Sequence, residues 1–275
     1  MKNFIIAGLM LASFNVFSQS YLVLNNGITL TTDSAGFVYD FGHFHMPYKV
    51  TVNGGQFLVA NNVLSTIDSS GFLYKKDLRI DTVKITGVNY FIRNDNMLVT
   101  IDSNGMYYVY DEKIFKSIVG YGGSFFIVKA DSRKSIVDLY TISSSGNYFK
   151  IDVVGLNPDD ISTFGGNFFQ TPSGVVYTIS KEGFVYPKPT IAVGEIKKIG
   201  GNFLINSKNI IFTIAEDGML SIPVVPVNFN IVNIEMLGSN YLIDSDGKIF
   251  VVDKFGNLNE RTIDHDIRNT KILSL

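Results

Sequence analysis

Two short tags recur in register along this chain. The first is Thr-x-x-x-x-Gly, found at Thr31–Gly36, Thr66–Gly71, Thr100–Gly105, Thr141–Gly146, Thr178–Gly183 and Thr213–Gly218; a further copy, Val251–Gly256, has valine in the threonine position. Its glycines are spaced 35, 34, 41, 37, 35 and 38 residues apart. The second tag is Gly-Gly-x-aromatic, at Gly54–Phe57, Gly122–Phe125, Gly165–Phe168 and Gly200–Phe203. Gly87–Tyr90 and Gly238–Tyr241 keep the first glycine and the aromatic residue. Self-similarity at such a period marks a repeat architecture, in which each unit buries its apolar surface on its neighbours.

One repeat reads as four short strands: residues 196–199, 202–206, 210–215 and 219–222. Between them lie Gly200-Gly201, Ser207-Lys208-Asn209 and Glu216-Asp217-Gly218. Glycine suits such turns because it reaches positive φ without strain. The strand residues are β-branched and aromatic, and helix signals are lacking. Both faces of each four-stranded unit are apolar, so each must pack against another on either side. The expected fold is all-β: a seven-bladed β-propeller of four-stranded antiparallel blades. A charged fraction of 17%, against roughly 25% for an average domain, fits sheets buried on both faces.

The N-terminus reads as an export signal over residues 1–18, with Lys2 before a mostly apolar run from Phe4 to Phe17. Val16 and Ser18 precede a cleavage point at Gln19. The chain has no cysteine, so a lipid anchor, a disulfide framework and thiolate metal sites are excluded. The expectation is a periplasmic or extracellular monomer whose residues 19–275 form one propeller domain. No later stretch is long and apolar enough to span a membrane. A net charge of −2 gives no reason to expect nucleic acid or an anionic membrane as partner. The last residues, Thr270–Leu275, have the pattern of strand one, as in Val83-Lys84-Ile85. They are expected to pair with residues 21–25 and close the ring, leaving no free sheet edge.

The run Ile196–Gly201 with Asp217-Gly218, and the segment Gly247–Phe250, resemble the propeller repeats of the regulator-of-chromosome-condensation and tectonin types. The resemblance spans essentially the whole mature chain and implies the fold. No functional residues carry over, because the tryptophans that end those families' strands are absent: the chain has no Trp.

The chemistry-bearing residues are few. His43 and His45 flank Phe44 and point the same way on an extended chain, as a metal pair would with Asp40 or His265; a polar surface loop has the same pattern. Asp68-Ser69-Ser70-Gly71, Asp102-Ser103-Asn104-Gly105 and Asp244-Ser245-Asp246-Gly247 look like calcium loops. They lack the distal carboxylate, and Asp and Ser are also ordinary hairpin-turn residues. The acids Asp159, Asp160, Glu182, Glu195, Glu216 and Glu235 are scattered; glycoside chemistry needs two that converge. No nucleophile elbow, phosphate loop or dinucleotide fingerprint is present, so no cofactor is expected.

Irregular loops at 40–48, 129–137, 152–160 and 223–230 all fall on one face of the disc. Binding usually lives on irregular loops of a rigid scaffold. The candidate binding residues are therefore His43, Phe44, His45, Tyr48, Arg133, Lys134, Asp159, Asp160 and Phe229. The expected role is a binding or scaffold module for a protein or glycan partner in the cell envelope. The alternative is a glycan hydrolase or lyase with a site at the channel mouth.

Overall fold

Short runs of β-branched and aromatic residues broken by tight turns give each repeat an antiparallel meander. The computed structural model describes residues 20–24, 27–43, 50–129, 137–153, 156–157, 160–263 and 267. Blade 1 holds β1 (Ser20–Val23), β2 (Thr29–Thr32) and β3 (Val38–Asp40). Blade 2 is β4 (Val50–Asn53), β5 (Phe57–Ala60), β6 (Val63–Ile67) and β7 (Leu73–Arg79). Blade 3 is β8 (Val83–Thr86), β9 (Tyr90–Arg93), β10 (Leu98–Ile101) and β11 (Tyr107–Tyr110). Blade 4 is β12 (Ile118–Tyr121), β13 (Phe125–Lys129), β14 (Val137–Ile142) and β15 (Tyr148–Ile151). Blade 5 is β16 (Thr163–Phe164), β17 (Phe168–Gln170), β18 (Val176–Ile179) and β19 (Val185–Lys188). Blade 6 is β20 (Ile196–Ile199), β21 (Phe203–Asn206), β22 (Ile211–Ile214) and β23 (Leu220–Ser221). Blade 7 is β24 (Ile234–Leu237), β25 (Tyr241–Asp244), β26 (Ile249–Val252) and β27 (Leu258–Arg261). In every sheet the strands lie in sequence order. The protein is a seven-bladed β-propeller.

The middle two strands of each blade are the buried ones: β5, β10, β18, β21 and β26 bury every residue. The core lies between blades. Each of the seven seams has its own apolar cluster, of between five and nine buried residues. Tyr90, Ile92 and Leu98 of blade 3 meet Phe126, Val128 and Ile142 of blade 4, for example. At about 2 kcal/mol per buried side chain, burial outweighs a seam's hydrogen bonds at about 1 kcal/mol each. Burial supplies the cohesion, and the hydrogen bonds fix the register.

Those hydrogen bonds explain the first tag. Each threonine donates its hydroxyl to the tag glycine of the next blade. Thr66 Oγ1 bonds Gly105 O at 2.7 Å, Thr100 bonds Gly146 at 2.6 Å and Thr178 bonds Gly218 at 2.6 Å. The glycines need positive φ, +69° at Gly105 and +80° at Gly218, which L side chains reach only with strain. A backbone ring runs through the same turns. Ser34 N donates to Ser69 O, and Ser69, Ser103, Ser144, Lys181 and Glu216 each donate onward, until Lys254 N returns to Ser34 O. Blade 7 therefore packs and bonds directly on blade 1. The proposed partner strand, Thr270–Leu275, and the signal segment lie outside the described residues; the blade 1 sheet as described has three strands.

The Gly-Gly turns have a different cause from the one the sequence suggested. None of Gly54, Gly55, Gly122, Gly123, Gly165, Gly166, Gly200 or Gly201 has positive φ. What they need is space. A Cβ on the first glycine would meet the tag's own aromatic ring, 2.1 Å away at Gly122 against Phe125. A Cβ on the second would meet the next blade, 2.1 Å from the Gly201 backbone at Gly166.

Candidate functional site

The second glycines bring adjacent blades together around the axis. Val88 N donates to Gly123 O (2.6 Å), Gly123 N to Gly165 O (3.0 Å) and Asn167 N to Gly201 O (2.7 Å). These bonds direct backbone polarity along the ring. The result is a pocket of about 450 Å³ lined by Gly87, Gly122, Gly123, Gly165, Gly166, Gly200, Gly201 and Gly238. Its side chains come from the inner strands: Thr86, Tyr121, Ile199, Glu235, Met236 and Leu237. Tyr121 and Ile199 are exposed, and Phe164 beside them stacks on Phe125 with centroids 6.2 Å apart. The site is a bare glycine floor with apolar and aromatic walls, and Glu235 is the only carboxylate among the described lining residues. Small residues let a ligand approach the backbone closely, and concave apolar sites with few polar groups are the usual form of binding pockets.

This pocket opens among the short, uniform turns, on the face opposite the irregular loops. Sequence reasoning missed it because it assigned the Gly-Gly pairs to turn conformation alone. The usable signal was the residue before the first glycine, where four of the six tags carry Tyr121, Phe164, Ile199 and Leu237 and the other two carry Asn53 and Thr86.

Of the candidates named from sequence, the three described ones, His43, Asp160 and Phe229, do not line this pocket. Phe44, His45, Tyr48, Arg133, Lys134 and Asp159 lie outside the described residues, as does His265. His43 is exposed after β3 in blade 1, and Asp160 is exposed before β16 in blade 5. Phe229 precedes β24 in blade 7; it sets its ring edge-on to Phe250 at 5.0 Å and packs on the core of that seam. These three stand on different blades. The same face carries one prominent apolar feature, the segment 222–232. Its Ile222, Val224, Val227 and Val232 are strongly exposed, Val224 at 91%.

The aspartate turns are structural. Asp68 Oδ1 accepts from the amides of Ser70 (2.9 Å) and Phe72 (3.0 Å), and its Oδ2 accepts the Tyr74 hydroxyl (2.7 Å). Asp102 does the same with Asn104, Met106 and Tyr108. The tyrosine rings then lie against the next blade's glycine: Tyr39 on Gly71, Tyr108 on Gly146. The hydroxyls of Tyr39, Tyr74 and Tyr108 are all held above their ordinary pKa. For Tyr39 and Tyr108 the larger cause is burial, with the aspartate second; for Tyr74 the hydrogen bond to Asp68 comes first. No group of three or more His, Asp or Glu among the described residues is placed to hold a metal.

No family model matches the chain, and no curated protein does. Among solved structures, a streptogramin B lyase aligns at 13% identity and a TM-score of 0.32, over 90% of this chain and 96% of that one. A catalytically inactive virginiamycin B lyase from Staphylococcus aureus with quinupristin aligns at 13% identity and a TM-score of 0.33, over 92% and 97%. Scores this low bear on neither mechanism nor ligand. The fold assignment rests on the blades themselves.

Proposed function

We propose that this chain is an exported binding module that holds a protein or glycan partner in the cell envelope through the axial pocket. The lining carries the reading: a glycine floor and apolar walls favour contact, and one carboxylate does not make the acid pair of glycoside chemistry. Tyr121 and Phe164 offer rings on which a sugar or an apolar side chain can stack. No helix among the described residues is long and apolar enough to cross a membrane.

The test immobilises the mature chain and passes over it a glycan array and an envelope extract of the source cell. Ile199→Asp and Tyr121→Ala are expected to abolish retention, and Val224→Asp in the exposed loop to leave it intact. Retention lost only with Val224→Asp would move the site to the irregular face. Turnover of a retained glycan that stops with Glu235→Gln would establish the enzyme reading instead.

A further inference from the structure

The floor of the axial pocket is saturated with its own hydrogen bonds. The amides of Gly122, Gly123, Gly165, Gly166 and Gly200 all donate within the protein, and the carbonyls of the same five glycines all accept from it. Such a floor offers a ligand close approach but neither donors nor acceptors. The polar side chains of the described lining are few: the hydroxyls of Thr86 and Tyr121 and the carboxylate of Glu235. Glu235 is exposed on β24, and its carboxylate makes no hydrogen bond or ion pair with a described residue. Of the lysines on the neighbouring strand β20, Lys198 gives its ammonium to the Ile234 carbonyl at 2.7 Å, and neither Lys197 nor Lys198 lines the pocket.

We propose that the axial pocket takes an apolar group carrying a single positive charge, chemically an alkyl- or arylammonium. The inference rests on the axial pocket being the binding site, and it narrows what enters there. A sugar brings several hydroxyls, and each one that leaves water without finding a partner costs free energy. A saturated floor and two hydroxyl side chains cannot answer them. An anion would meet the Glu235 carboxylate between apolar walls, where like charges repel more strongly than in bulk water. A cation with an apolar body leaves nothing unpaired. Its body covers the glycines, Ile199 and Leu237, its charge is matched by Glu235, and the exposed Tyr121 ring attracts an ammonium through its face. A volume of about 450 Å³ lies at the low end for ligand sites, which suits one side chain or one small molecule. The ammonium has two sources, a lysine of a protein partner or a free amine. Because Glu235 is exposed, the charge sets preference more than strength.

Calorimetric titration of the mature chain with three ligands of similar shape tests this: phenethylammonium, the neutral hydrocinnamamide and the anionic hydrocinnamate. The ammonium is expected to bind tightest, the amide about fivefold more weakly, and the anion more weakly again. Glu235→Gln should remove the preference for the ammonium over the amide, and Tyr121→Ala should weaken both. Circular dichroism and melting of each variant confirm that the blades remain folded. Displacement of phenethylammonium by the blocked dipeptide acetyl-Phe-Lys-amide, and not by acetyl-Phe-Gln-amide, identifies a protein lysine as the source. An ammonium that binds and that neither peptide displaces identifies a free amine. An amide bound as tightly as the ammonium, or a preference that survives Glu235→Gln, overturns the proposal and leaves the axial pocket as a binding site. A maltooligosaccharide that binds more tightly than phenethylammonium and is lost with Tyr121→Ala overturns it in favour of a glycan. If none of these ligands binds, the proposal falls, and a partner retained despite Ile199→Asp and Tyr121→Ala removes the axial-pocket reading as well.

Discussion

Six of the seven seams follow one pattern, and the seam between blades 7 and 1 departs from it. At a regular seam a threonine hydroxyl reaches the next blade's glycine carbonyl, as Thr213 does to Gly256 at 2.6 Å. At the closing seam that threonine is Val251, buried in the apolar cluster. The carbonyl it would have met, Gly36 O, takes Arg261 Nε at 2.5 Å, and the guanidinium lies 4.9 Å from the Phe37 ring. A second exchange accompanies the first. Thr32 donates to Asn240 Oδ1 at 2.9 Å, where blades 2 to 6 place isoleucine at the same step after the tag threonine. Asn240 N in turn bonds the Ser20 hydroxyl, where regular seams use a backbone carbonyl. The seam that joins distant parts of the chain uses side chains for bonds that the other seams make through the repeat. A buried carbonyl requires a donor, but nothing requires that donor to be threonine.

The largest test of this comparison concerns the strand proposed to complete blade 1. Deleting residues 270–275 should cost on the order of 5 kcal/mol and lower the melting temperature by more than 10 °C. Without an inner strand, the edge of β1 is uncovered beside Tyr21, Leu22 and Val23, all buried in the intact protein. A truncated chain that melts with the full-length protein would refute closure by that segment. It would leave the closing seam to its apolar cluster, its side-chain bonds and the Lys254–Ser34 backbone bond.

At the regular seams the most sensitive point is backbone against backbone. Gly166→Ala places a Cβ 2.1 Å from the Gly201 backbone, which no rotamer can relieve. About 3 kcal/mol should be lost, or roughly 6–12 °C of melting temperature. Gly174→Ala is the control, since nothing lies within 4 Å of its Cβ and only its φ of +85° is strained. It should cost about 1 kcal/mol. Equal losses at the two positions would show that the axial glycines serve conformation and not proximity.

These glycines also show how much the sequence could tell. Repeat number, strand order and turn positions were legible because they depend on local periodicity. The strands expected at 196–199 and 202–206 are observed at Ile196–Ile199 and Phe203–Asn206. The partner of each tag residue was not legible. Thr178 and Gly183 look like one local motif, yet Thr178 bonds Gly218 of the next blade. The axial pocket was hidden for the same reason, since it is made where glycines from five blades converge. Periodicity predicts the unit, but the ring geometry decides what the units touch.

The exchange of threonine for arginine can be tested as a cycle. Thr178→Val removes the donor to a buried carbonyl and should cost about 1–2 kcal/mol. Arg261→Leu should cost a similar amount by orphaning Gly36 O. Val251→Thr alone should be neutral or slightly destabilising, because the carbonyl is already occupied. In the Arg261→Leu background it should recover part of the loss, a non-additivity that urea unfolding of the four proteins will read. Strict additivity would mean that Arg261 and the missing threonine do not share an acceptor.

The smallest effect lies on the outer rim, where the tyrosine–aspartate lock varies among blades. Tyr39, Tyr74 and Tyr108 bond an aspartate of their own turn; blade 4 has Ser143 where the aspartate would be and Phe149 where the tyrosine would be. Blade 5 keeps the tyrosine, Tyr186, with Ser180 in the aspartate position, and blade 7 keeps Asp253 with Asn259 in the tyrosine position, whose amide donates to it at 3.2 Å. Folding raises the pKa of Tyr108, chiefly through burial and then through the bond to Asp102. A group whose pKa is higher folded than unfolded gives its full stabilisation below its unfolded value, about 10. That stabilisation is lost as pH rises through the folded value. Stability should therefore decline above pH 10. Tyr108→Phe should lose only a few tenths of a kcal/mol at neutral pH and flatten the alkaline decline, with Phe149 showing that the ring alone can fill the site. If Tyr108→Phe steepened that decline, the hydroxyl would have to ionise more readily in the folded protein than outside it. The bond to Asp102 would then not be the lock that the geometry indicates.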